Sequence, residues 1–168
     1  MNNLIFVIAQ IIGFIAFFIS LIAYHRNKKE TILATMVFSS ALNLIHYFLL
    51  GAYSGCITKG IAICRDSFII LKDKIKFLSS KFYLFLFILI YIIIGIYNFT
   101  NLWSILPLIA AVIYMIPIWN GNEIVIKKTA FICYFLWLAY NIFVFSIAGI
   151  ISNIVSIIST LIAIKNNN

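Results

Sequence analysis

Long apolar runs separated by very short polar turns leave this chain few ways to fold. Crossing the hydrocarbon core of a bilayer as a helix takes about 17–25 apolar residues, and such runs fill the sequence. The first covers 4–24 and stops at His25-Arg26-Asn27-Lys28-Lys29-Glu30, and the second covers 31–50. A third, about 52–71, is followed by a basic loop at 72–81, then a fourth at 82–97 and a polar turn at 98–101. The fifth, 102–119, holds both prolines; the sixth follows Lys127-Lys128 and runs to Phe145. After a turn at 146–149 the seventh ends at Ile164. Turns this short force neighbouring helices to be antiparallel. With 65% hydrophobic and 10% charged residues, the chain also lies outside the range of soluble globules, whose apolar share is about 45–50%. The expectation is an all-α membrane protein with seven transmembrane helices.

The basic residues orient it. Arg26, Lys28, Lys29, Lys72, Lys74, Lys76, Lys81, Lys127, Lys128 and Lys165 all fall after the first, third and fifth runs or in the tail. The start and the other turns carry none, so retention of positive loops in the cytoplasm puts the N-terminus outside and the C-terminus inside. The formal net charge of +8 does not point to nucleic acid, because these residues sit in short clusters and form no basic face. Met1-Asn2-Asn3-Leu4 lacks the basic region of a signal peptide, so the first run is expected to stay as a span. Cys56, Cys64 and Cys133 have no metal-ligand spacing and read as small, reduced apolar residues.

Charge inside a span is the second constraint. The third run carries Lys59, Arg65 and Asp66, and an ionisable group near mid-bilayer costs about 2.5–3.5 kcal/mol unless it faces a cavity or a partner. Lys59 and Asp66, two helical turns apart, share a face at roughly 10 Å, too far for direct contact but suited to a small polar ligand. Arg65 projects about 100° away and is expected to reach a neighbouring helix. Asn43, His46 and Tyr47 follow one helical spacing, and Trp137, Tyr140 and Asn141 repeat it at similar depth. Such clusters suit facing walls of a central cavity, although an aromatic belt at the headgroups accounts for the tyrosines equally well. Ala9, Gly13, Ala16 and Ser20 form a small-residue face for close helix packing, with Gln10 beside it. Pro107 and Pro117 each remove a backbone donor, and Pro117 is the candidate gating hinge.

The layout repeats. Runs one to three and five to seven have the same charge rhythm, and a spacing of 92 takes Ser54 to Ser146 and His25 to Pro117. An odd connector makes the two units parallel, a 3+1+3 duplication: residues 1–81, a linker helix with its turn at 82–101, and residues 102–168. This layout resembles the SWEET and PQ-loop transporter superfamily, and within it the YgjV-type bacterial inner-membrane proteins. The resemblance is carried by Gln10-Ile-Ile-Gly13-Phe-Ile-Ala16, His46-Tyr-Phe-Leu-Leu-Gly51-Ala-Tyr-Ser-Gly55, Arg65-Asp66 and Trp137-Leu-Ala-Tyr140 with Asn153. A true Pro-Gln pair is absent: Tyr24-His25 and Pro117-Ile118 stand at the two bends. The resemblance implies a multi-pass protein of the bacterial inner membrane and places Asn153, on the seventh helix, in a substrate site.

No serine–histidine–acid set, phosphate-binding glycine loop or metal-ligand cluster is present, and Asp66 is the only acid well inside a span. No enzyme activity and no cofactor are expected. The leading expectation is a SWEET-like alternating-access transporter of a small polar solute, anionic or zwitterionic. Its substrate-binding residues would be Lys59, Arg65, Asp66, Asn43, His46, Trp137, Tyr140, Asn141 and Asn153. The second reading is a membrane receptor or interaction module of the same fold. Small-molecule substrate and membrane lipid are the expected partners, and the oligomeric state is left open.

Overall fold

The computed structural model describes residues 3–24, 29–120 and 123–165. Among them are seven α-helices and no strand: α1 (Asn3–Tyr24), α2 (Lys29–Leu49), α3 (Tyr53–Lys72), α4 (Lys81–Tyr97), α5 (Leu106–Asn120), α6 (Glu123–Phe143) and α7 (Ile147–Lys165). Short 3-10 turns at Lys76–Ser79 and Leu102–Ile105 precede α4 and α5. His25, Arg26 and Lys28, used above for the first bend and for orientation, lie outside the described residues.

Two boundaries differ from expectation by more than three residues. The sixth helix starts at Glu123, so Lys127 and Lys128 stand on α6 and not in the loop before it. The fifth opens as a 3-10 turn because Asn101 and Ser104 form a reciprocal cap, with Ser104 N donating to Asn101 Oδ1 at 3.0 Å. Pro107 then sits in the first turn of α5, where a missing N–H costs little.

The protein has its polar groups inside and its apolar groups outside. Leu4, Val7, Phe18, Phe85, Ile96 and Ile162 are exposed, while Gln10, His46, Arg65, Asp66 and Asn141 are buried. An apolar exterior of this extent needs an apolar solvent. By length and composition 3–22 and 102–120 are enough to cross a membrane, and Leu33–Leu49, Lys81–Tyr97, Lys128–Phe143 and Ile147–Ile162 are shorter apolar stretches. The polar interruptions of α3 keep it below that threshold.

Six helices form a ring. α2 packs between α1 and α3, α6 packs between α5 and α7, and the ring closes where α1 meets α7 and α3 meets α5. α4 lies outside, on α5 and α3. The small-residue face on α1 makes one closure possible: a Cβ on Gly13 would stand 2.8 Å from Ala148 Cβ and 2.9 Å from the His46 ring. Leu33, Ile69, Met115, Ile118 and Trp119 form an apolar cluster toward the basic end.

The α2–α3 and α6–α7 turns are built alike. Tyr47 and Asn141, 94 positions apart, each offer a backbone oxygen, to Ala52 N at 2.9 Å and to Ser146 N at 3.0 Å. Gly51 N bonds Phe48 O, and Phe145 N bonds Ile142 O. These are the paired bonds that end a helix on a left-handed residue, here Gly51 (φ 69) and Phe145 (φ 54). The turns therefore superpose at a spacing of 94 and not at 92. Ala52, not Ser54, is the counterpart of Ser146.

Candidate functional site

A cavity of about 180 Å³ occupies the middle of the ring, room for about six waters at about 30 Å³ each. Of the residues singled out from the sequence, Asn43, Lys59, Arg65, Asp66, Trp137 and Asn153 line it. The spacing of 94 runs through the wall. Asn43 faces it from α2 and Trp137 from α6; Lys59 faces it from α3 and Asn153 from α7; Thr58 and Ser152 do likewise. Even the bonds that seat these helices repeat: Ser39 Oγ donates to Ala16 O at 2.8 Å, and Cys133 Sγ donates to Ala110 O at 3.3 Å.

α3 supplies the charge. Lys59 Nζ stands 4.3 Å over the Trp137 ring, a cation–π contact. Arg65 does not reach away from Asp66 as its helical position suggested. Its side chain curls back, and Nε donates to Asp66 Oδ1 at 2.7 Å, with both residues buried (5% and 2% exposed). The guanidinium also lies 5.7 Å from the Tyr114 ring centre. A three-carbon stem lets the arginine make this adjacent pairing, and pairing is the cheaper state for two charges out of water.

His46, Tyr140 and Asn141, expected from the sequence to wall the cavity, are not among its lining residues. They form a hydrogen-bonded clasp at one end of the cavity. His46 Nδ1 donates to Ala9 O at 2.6 Å, because a carbonyl can only accept, and Nε2 accepts from Ser146 Oγ at 2.7 Å. Ser146 Oγ also accepts from Gly149 N at 3.0 Å. On the other side, Tyr140 oxygen accepts from Ser54 Oγ and Gly55 N, both at 2.9 Å, and donates to Ala52 O at 3.2 Å. Tyr47 bridges the two by donating to Asn141 Oδ1 at 2.9 Å. The arrangement is reciprocal: His46 reaches Ser146, and its counterpart Tyr140 reaches Ala52. Gln10 adds a further tie, donating to Phe145 O at 3.1 Å and accepting from Ala148 N at 3.0 Å. Tyr47 also lines the cavity, so it forms the floor of this end.

Pro117 is buried inside α5, three residues beyond the lining residue Tyr114, and is not itself part of the wall. Helix α4 is apolar from Phe85 to Gly95 except for Tyr91. This tyrosine is fully buried, and its hydroxyl lies beside the Arg65–Asp66 pair. Nothing in an apolar helix signalled this; one tyrosine among isoleucines was the only cue.

A family model described as Imp-YgjV, bacterial inner membrane protein, matches residues 7–166. No curated protein and no solved structure matches the chain.

Proposed function

We propose a transport function for this chain, which belongs to the Imp-YgjV family of bacterial inner membrane proteins. The observation that carries the proposal is the cavity: a space of mixed lining that holds charged side chains inside an apolar exterior, walled by α1–α3 on one side and α5–α7 on the other. Such a space has no packing purpose, since filling it with aliphatic side chains would be less costly than burying Arg65 and Asp66 with Lys59 beside them.

In this reading the chain spans the inner membrane seven times, N-terminus out and C-terminus in. Residues 1–81 and 102–168 act as parallel copies of one SWEET-like three-helix unit, with 82–101 as connector. The turn geometry and wall residues recurring at 94 support that duplication. In this orientation the clasp of His46, Tyr47, Tyr140, Asn141 and Ser146 lies at the external end and closes it. Transport of a small polar solute then needs the clasp to part while the units close at their basic ends, an alternating access in which Pro117 lets α5 bend.

Cys133 lines the cavity and supplies the test. With Cys56 and Cys64 replaced by serine, a membrane-impermeant thiol reagent should label Cys133 readily from the cytoplasmic face. From the external face it should do so slowly, and solute should change both rates in opposite directions. Labelling from one face only, whatever the solute, would end the carrier reading and leave the receptor in its place.

A further inference from the structure

The charges around the cavity do not cancel. The chain has four acidic residues in all. Glu30 pairs with Lys74 at 2.6 Å and Asp73 lies 3.9 Å from Lys72, both toward the basic end. Glu123 opens α6, about 20 Å along the helix from Trp137 at 1.5 Å per residue. Among the described residues, Asp66 is the only acid that lines the cavity, against Lys59 and Arg65. The lined space therefore carries one positive charge more than the protein can answer, and a buried charge without a counter-charge is strongly unfavourable.

The free positive groups have a shape. Arg65 uses Nε for Asp66; its terminal nitrogens, beside the Tyr91 hydroxyl, form the edge that takes both oxygens of a carboxylate in parallel bonds. Lys59 has a ring face for a neighbour and no acid. The rest of the wall is suited to an organic group. Trp137, Tyr114 and Tyr47 present rings. Asn43 Nδ2 donates to Ser39 O at 3.0 Å and Asn153 Nδ2 donates to Gly149 O at 2.8 Å, which leaves the amide oxygens of these two lining residues as acceptors.

Resting on the transport reading, we infer that the cavity binds a small monocarboxylate bearing a hydroxyl donor. The carboxylate sits between Lys59 and the terminal nitrogens of Arg65, and Asn43 and Asn153 accept from the donor. A single carboxylate brings the site to neutrality, which a neutral sugar does not.

The experiment uses the full chain in detergent and reads Tm, since a ligand that binds only the folded state raises it. Sodium lactate is compared with lactamide, its neutral isostere, and with sodium chloride at equal ionic strength. Lactate should raise Tm, and lactamide and chloride should not. Lys59→Gln and Arg65→Lys, each read against its own unliganded Tm, should weaken lactate by about tenfold or more, as expected for loss of one partner of a buried charge pair. Arg65→Lys keeps a cation for Asp66 and removes only the fork, so a folded protein is available even where the neutral replacement fails. Equal shifts with lactamide overturn the inference, as does a lactate response unchanged in either variant. A shift with chloride equal to that with lactate makes the site an inorganic-anion site and overturns the carboxylate. No shift with any of the three overturns it too. The carrier reading is decided separately by Cys133 labelling, so the two can fail independently.

Discussion

Tyr140→Phe removes one oxygen and three hydrogen bonds from the clasp. Ala52 O keeps its bond from Cys56 N, and the Ser54 hydroxyl can rotate toward its own helix. Gly55 N–H has no such recourse, since it is in the first turn of α3, where helical donors have no partner of their own. A buried donor left unsatisfied costs about 1–3 kcal/mol. In a parted clasp the same group meets water and the cost vanishes, so the whole penalty falls on the closed state. Taking about 2 kcal/mol, the closed-to-open balance shifts about 30-fold at 1.4 kcal/mol per tenfold. The assay is the rate at which an impermeant thiol reagent, added on the side of the α2–α3 turn, reaches Cys133. It should rise about 30-fold, with a lower detergent unfolding temperature. Polar contacts between spans average about 0.6 kcal/mol, equivalent to roughly threefold in rate. A rise no larger than that would refute the clasp as the barrier to entry.

Three further outcomes follow from the same geometry. A periplasm-active reporter should work at the N-terminus and within 98–101 and be silent at the C-terminus; activity at both termini would contradict seven spans. Gly13→Ala should lower stability by about 1–3 kcal/mol, read by detergent denaturation, because its Cβ would crowd Ala148 and His46. Phe145→Gly should raise stability by about 1 kcal/mol, since Phe145 holds a left-handed φ that costs a side chain roughly 1–2 kcal/mol; a loss would mean that the exposed ring is a membrane anchor.

Much of the fold was legible because it rests on periodicity and charge, which a sequence displays directly. The seven helices and the polar α3 were readable from apolar runs interrupted by Lys59, Arg65 and Asp66. The repeat register was half legible. Asn43-His46-Tyr47 and Trp137-Tyr140-Asn141 already carry the spacing of 94 seen in the turns. The Ser54–Ser146 identity pointed to 92 because it compared residue names, whereas the turns agree in backbone conformation, with glycine at one left-handed position and phenylalanine at the other. Which polar residues face the cavity was not legible, since hydrogen bonds between distant helices decide it: His46, Tyr140 and Asn141 have partners across the ring, while Asn43 bonds only within its own helix. The curl of Arg65 onto Asp66 is a rotamer choice that helical spacing cannot express.

If the chain is the carboxylate carrier proposed above, the excess positive charge on α3 gives it an electrical cycle. With a carboxylate in place the site is neutral, and the loaded protein changes conformation without moving net charge through the membrane field. The empty site keeps one charge. A full transit of the field is worth about 2.3 kcal/mol per charge at 100 mV, and the potential, negative inside, holds that charge toward the cytoplasm. Voltage would thus act on the unloaded return step alone, slowing outward reorientation of the empty carrier and leaving exchange of one carboxylate for another indifferent to potential. Net uptake and exchange measured in vesicles under an imposed potential would separate the two steps, and equal voltage dependence of both would exclude this cycle.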